Sequence, residues 1–143
     1  MDSELVLELP SDIRAIEAAV DHILRRCAEC RTHARRLRLN LRVSLTEALS
    51  NAMLYGNAAD PSKRVRVEVR LSDSEITACV IDEGVGFDPA AVPDPTTPEN
   101  LLRAGGRGLF LMRELMDEVR YNDRGNCVTL VLRLDELGGA ASA

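Results

Sequence analysis

Between Arg64 and Leu71 the chain reads Arg-Val-Arg-Val-Glu-Val-Arg-Leu, with charged and aliphatic residues in strict alternation. Side chains alternate across a strand, so this segment needs one wet face and one dry face. A strand buried on both sides would read as a continuous apolar run instead. The segment therefore belongs to a sheet open to water on one side and covered on the other. The sequence around it must supply the cover.

Two amphipathic stretches precede it. After a short strand in which Leu5, Leu7 and Leu9 alternate with acidic residues, Pro10 stops the run. Ser11 is placed as the helix N-cap, with Asp12 and Glu17 near the positive end of the dipole. Ile13, Ile16, Val20, Ile23, Leu24 and Cys27 then recur at helical spacing. A second helix is expected from about Leu39 to Tyr55. Its buried stripe is Leu41, Leu45, Ala48, Leu49, Ala52 and Met53, and Gly56 and Asn57 end it.

Beyond the alternating strand, Ser72–Glu75 is a turn, and Ile76–Ile81 is a denser strand expected nearer the sheet centre. Residues 83–107 hold most of the glycines and prolines, and a breaker-rich connection of that length is usually functional. A third helix is predicted from Gly108 to about Glu118. Strands at Val119–Asn122 and Cys127–Leu134 follow, joined by a turn at Asp123–Asn126. The helices are grouped rather than alternating with every strand. The expected fold is an α/β (α+β) two-layer sandwich: a mixed, mostly antiparallel sheet with three main helices on one face. The 143 residues suit one domain, with a core at about 3–134.

Composition narrows the function classes. The net charge of −5 argues against general nucleic-acid binding. No apolar run is long enough to span a bilayer, and the acidic, alternating start is unlike a signal peptide. A cytoplasmic protein with free thiols is expected. Cys27 and Cys30 form a C-x-x-C with His33 nearby, but a zinc site lacks an evident fourth ligand, so buried helix thiols are the simpler reading.

Three segments carry chemistry. On the second helix, Glu47 and Asn51 are four apart and stand one above the other, outside the buried stripe and bounded by small residues. A carboxylate and an amide oxygen could serve one proton transfer and one hard cation; Mg²⁺ binds through few protein oxygens plus substrate phosphates. The alternative is a solvated helix face with a mutual hydrogen bond. Asp82 ends the central strand, followed by Gly84 and Gly86. Its carboxylate can only accept hydrogen bonds and suits an adenine amino group, while the glycines would let backbone lie against a flat base. Gly105, Gly106 and Gly108 open the third helix, where free amides attract phosphate, and Arg107 adds a cation. Either glycine pair alone would also fit a structural turn. The P-loop and the dinucleotide fingerprint are both absent.

Taken together, these segments resemble the GHKL (Bergerat-fold) ATPases. Glu47-Ala-Leu-Ser-Asn51 is similar to that family's N box, Asp82-Glu-Gly-Val-Gly86 to its first glycine box, and Gly106-Arg-Gly-Leu-Phe-Leu-Met112 to its second. Within it, the run from Gly105 to Val119 most resembles the small anti-sigma factor serine kinases of bacterial partner switching. The resemblance implies ATP and Mg²⁺ as cofactors, Glu47 as general base and Asn51 as metal ligand. It implies Asp82 at the adenine amino group, with Thr129 as a weaker candidate beside it. Gly84 and Gly86 would make room for the base. Gly105, Gly106, Arg107 and Gly108 would hold phosphates under a lid at about 88–104. The implied partners are a sigma factor and a STAS-domain antagonist that accepts the phosphoryl group, with the protein acting as a homodimer. Where family members often carry a His shortly after the N-box Asn, this chain reads Met53-Leu-Tyr-Gly-Asn57. That departure bears on kinase activity more than on ATP binding, and the alternative is a non-enzymatic ATP-binding interaction module.

Overall fold

The structure is a computed structural model and describes residues 3–30, 37–84 and 106–133. Five strands form one sheet: β1 (Ser3–Pro10), β2 (Arg64–Leu71), β3 (Glu75–Ile81), β4 (Glu118–Tyr121) and β5 (Cys127–Arg133). Their order is β1-β2-β3-β5-β4, and all four pairings are antiparallel. β3 is the central strand, as its denser apolar composition predicts.

The alternation in β2 partitions the sheet. Val65, Val67, Val69 and Leu71 are buried, while Arg64, Arg66 and Arg70 face out. Register pairs Arg70 with Glu4 across strands at 3.0 Å, while Arg66 bonds Glu68 of its own strand at 2.7 Å. Exposed pairs of this kind contribute between about 0 and 1 kcal/mol each, so they direct the face outward more than they stabilise it.

Three α-helices among the described residues supply the cover: α1 (Ile16–Cys30), α2 (Arg42–Asn51) and α3 (Gly106–Leu115). Single π-helical stretches extend α2 at both ends, Leu37–Leu41 and Ala52–Gly56, so the helical path runs from Leu37 to Gly56. The expected stripe of α2 is fully inside: Leu41, Leu45, Leu49 and Met53 have no exposure, and Ala48 and Ala52 have almost none. Each such leucine contributes about 1.5–3 kcal/mol through burial. They pack in one cluster with Val20, Ile23 and Leu24 of α1, with Leu109 and Met112 of α3, and with the inward residues of the sheet. Among the described residues no helix is long and apolar enough to cross a membrane.

Two expectations near the start are corrected. Asp12, not Ser11, is the cap. Its side chain accepts from the Arg14 N–H at 2.9 Å and opens a 3-10 turn at Ile13–Ala15. Ser11 instead donates its hydroxyl to the Lys63 carbonyl, 2.8 Å away. The tighter turn shifts the helical phase by part of a step, so Ile13 leaves the buried stripe and is 54% exposed. The C-x-x-C region divides: Cys27 is completely buried in the core cluster, while the side chains of Cys30 and His33 lie outside the described residues.

Candidate functional site

The site assembles along one side of the second helical path. Glu47 and Asn51 stand on the last two turns of α2, both half-buried. α3 crosses directly against them. A Cβ placed on Gly108 would lie 2.6 Å from Glu47 Oε1 and 3.1 Å from Asn51 Nδ2. Only bare backbone can approach these two side chains so closely. Leu109 and Met112 anchor the other side of α3 in the core. Asn40 fixes its far end, donating Nδ2 to the Leu115 carbonyl at 2.9 Å, one of the orphan acceptors of a helix terminus. The start of α3 carries no acidic residue, so its amide groups meet Glu47 and Asn51 without a competing anion of their own.

The other end of the site lies where β3 stops. Asp82 is 9% exposed, and its Oδ1 accepts from the Gly84 N–H at 2.8 Å. Among the described residues Oδ2 has no hydrogen-bond partner, and it lies over Gly56 at the end of the π-helical stretch. Burial pushes the Asp82 carboxyl above its ordinary range, partly offset by the Gly84 N–H and by the charges of Arg124 and Lys63. Gly84 packs so tightly on the Gly56 carbonyl that a Cβ there would fall inside that oxygen. Neither group can rotate away. We expect Gly84→Ala to cost about 1–3 kcal/mol of stability by forcing the backbones at Gly56 and Gly84 apart; thermal denaturation would check it. A fully stable variant would show that this approach is not needed.

Both ends thus border the same helical path. Glu47 and Gly56 are nine residues apart, a separation of roughly 13 Å along the axis. The carboxylate–amide pair sits at one end of this line and the buried acceptor at the other.

The structure brings Glu47, Asn51 and Gly108 together, and it brings Asp82 to Gly84. Gly106 begins α3 and Arg107 is exposed in its first turn. It does not bring Thr129 to Asp82. Thr129 pairs with Cys79 on the sheet face away from the helices, its hydroxyl 3.5 Å from the Cys79 sulfur. One-residue alternation decides this: Val128 and Leu130 point inward, so Thr129 cannot. The neighbour of Asp82 is Asn126, whose carbonyl accepts from the Asp82 N–H at 2.9 Å and whose Nδ2 donates to the Asp82 carbonyl at 3.2 Å. Sequence reasoning missed Asn126, and it missed Arg124, whose Nη2 donates to the Gly84 carbonyl at 3.0 Å. Gly86, Gly105 and the expected lid at 88–104 lie outside the described residues.

Among the described residues no group of three or more His, Cys, Asp or Glu side chains is placed to hold a metal ion unaided. An ion at Asn51 would have to share oxygens with a bound ligand. That fits Mg²⁺, which retains waters and takes substrate phosphates as ligands.

A family model, the histidine kinase-like ATPase domain, matches residues 9–132. The chain belongs to that family. The ATPase domain is 34% identical over 101 residues to serine-protein kinase RsbW of Bacillus licheniformis, covering 64% of this chain and 61% of the relative. It is 30% identical over 91 residues to serine-protein kinase RsbW of Oceanobacillus iheyensis, covering 59% of this chain and 58% of that protein. It is also 26% identical over 98 residues to the anti-sigma F factor of Clostridium beijerinckii, covering 66% of this chain and 68% of the relative. The domain therefore aligns with about three fifths of the length of the two kinases. The five-stranded sheet with helices on one face is an α+β fold consistent with this family, and membership implies ATP binding.

Proposed function

We propose that the protein is an ATP-dependent serine/threonine protein kinase acting as an anti-sigma factor. What supports this most is the contact of Gly108 with both Glu47 and Asn51. A carboxylate, an amide side chain and a helix start converge there, the kinds of group that phosphoryl transfer uses as proton acceptor, metal ligand and donors for phosphate oxygens.

The roles follow from the groups. Asp82 Oδ2 accepts a hydrogen bond from the adenine amino group, and the side-chain-free residues Gly84 and Gly86 leave space for the flat base. The amides at Gly106 and Gly108, together with Gly105 and the Arg107 guanidinium, hold phosphate oxygens. Asn51, through its amide oxygen, would hold Mg²⁺, which would supply charge neutralisation at the phosphates. Glu47 accepts the proton of a seryl or threonyl hydroxyl as its oxygen bonds to the γ-phosphorus. The bond to the bridging oxygen breaks and ADP leaves.

The acceptor in this reading is a STAS-domain antagonist, and the alternative partner is a sigma factor held by a homodimer of this protein in the cytoplasm. The added phosphate charge weakens the antagonist's docking, and the protein returns to the sigma factor. The relatives' names, serine-protein kinase and anti-sigma F factor, support this assignment. Labelled ATP, Mg²⁺ and a STAS-domain protein of the same organism test it. Transfer of label to a serine or threonine of that protein is expected. ATP binding without any transfer would leave a non-enzymatic interaction module, to which the run Met53-Leu-Tyr-Gly-Asn57, without the His that family members often carry shortly after the N-box Asn, would then point.

Asp82→Asn separates recognition from folding. The raised carboxyl pKa means the neutral form favours the folded state, so the ionised group costs stability once pH has risen through its titration. Removing the charge should leave stability at neutral pH unchanged or higher. ATP affinity should fall by about tenfold or more, because an amide N–H in place of Oδ2 opposes the adenine amino group. Calorimetry beside thermal denaturation reads both, and unchanged affinity would remove Asp82 from the adenine.

A further inference from the structure

We propose that Asn57 is a positioning residue for adenine recognition: it fixes the main chain at Glu83 and so aims the Asp82 carboxylate before nucleotide arrives. The inference rests on the reading of Asp82 as the adenine acceptor.

Asn57 is completely buried. Its Oδ1 accepts from the Glu83 N–H at 2.7 Å. Its Nδ2 donates to the Ser11 hydroxyl oxygen at 2.9 Å and to the Arg64 carbonyl at 3.1 Å. One amide therefore ties the end of β1 and the start of β2 to the turn that follows β3. The network also fixes which way the amide points. A flipped Asn57 would set its N–H groups against the Glu83 N–H and its oxygen against the Arg64 carbonyl.

The residues on either side of Glu83 are bonded elsewhere. The Asp82 N–H and carbonyl both bond Asn126, the Gly84 N–H bonds Asp82 Oδ1, and the Gly84 carbonyl accepts from Arg124. Arg124 is exposed and Asn126 half-buried, so water competes for their bonds. The bond at Glu83 comes from a side chain with no exposure, and water cannot replace it.

The backbone behind Asn57 carries a further sign. Ala58 and Ala59 both take left-handed conformations, with φ of 53° and 57°. Residues other than Gly and Asn adopt this region only when surrounding contacts over-determine it. The strain lies where the chain leaves the helical path and reverses, with the Asn57 side chain held under Glu83. A helix stop alone would not require it; a Gly or Asn at the left-handed position would serve without cost.

The test compares ATP with purine riboside triphosphate, which lacks the 6-amino group, by calorimetry. The wild type should prefer ATP by at least about tenfold. In Asn57→Ala that preference should collapse toward one, while affinity for the purine analogue stays within about threefold of wild type. Asn57→Asp, protonated at this buried position so that its hydroxyl faces the Arg64 carbonyl, keeps an acceptor for the Glu83 N–H and should restore most of the preference. Ser11→Ala removes the far Asn57 bond and the Ser11 bond to the Lys63 carbonyl but keeps the bond at Glu83, and should leave the preference intact. An Asn57→Ala protein that retains the preference, or that loses both nucleotides equally, overturns the proposal. A wild type without any preference would instead strike the Asp82 reading, and this inference with it. Amide exchange in the wild type needs no variant. The Glu83 N–H should be protected in the free protein. Fast exchange that slows only when ATP binds would mean the nucleotide, not Asn57, sets the aim.

Discussion

Replacing Glu47 by alanine is expected to leave ATP binding close to wild type while phosphoryl transfer falls by about 10²–10⁴-fold, the usual loss on removing a positioned general base. The asymmetry follows from where the side chain stands. Glu47 is one turn before Asn51, at the end of the line away from Asp82, so it can reach the transferring group without touching the base. Its removal takes away the proposed proton acceptor and leaves the proposed metal ligand, Asn51, and adenine acceptor, Asp82, in place. It also removes a carboxylate from beside the start of α3, which can only ease the approach of phosphate to those amides. Single-turnover transfer to the STAS acceptor, measured beside calorimetric affinity, separates the two quantities. A wild-type transfer rate in Glu47→Ala would mean that the proton leaves by another route.

Asn51→Ala should have the opposite signature. Mg²⁺-dependent ATP binding is expected to vanish, because the described part of the site contains no carboxylate cluster to take over as ligand. A weak component independent of Mg²⁺, carried by Asp82, should survive in EDTA. Folding should not suffer. Asn51 is half-buried, and alanine is the better helix former by roughly 0.5–0.7 kcal/mol. Titrations with and without Mg²⁺ would show it. Equal Mg²⁺ dependence in the variant and the wild type would place the ion elsewhere.

Local patterns carried much of this structure into the sequence. The alternation of β2 and the stripe from Leu41 to Met53 each repeat one geometric rule several times, and both are realised residue by residue. The Glu47–Asn51 pair was legible for a related reason: four residues on a helix is a contact distance. Features that depend on a single residue's phase were harder to read. Asp12 took the cap from Ser11 and carried Ile13 out of the stripe. Thr129 failed by one step of a strand. The clasp around Asp82 left no local trace, because Asn57, Arg124 and Asn126 meet residues 26, 40 and 44 positions away. Asn57 read as a helix terminator, and Arg124 and Asn126 as parts of a hairpin turn. Gly56 and Asn57 read as the helix end, and the left-handed backbone falls beyond them on two alanines, Ala58 and Ala59.

The placement of Glu47 and Gly56 on one uninterrupted helical path has a further bearing. The span between the reacting end and the base end is a property of a single rod, not of how two parts happen to settle against each other. Drift in the surrounding aliphatic packing can tilt that rod, but it carries both ends together and preserves their spacing. A deletion of even one residue between them would not be so forgiving, since it would turn one end through about 100° relative to the other. The gauge for the ligand is therefore cut into the chain's own numbering, and substitutions spare it where insertions and deletions cannot.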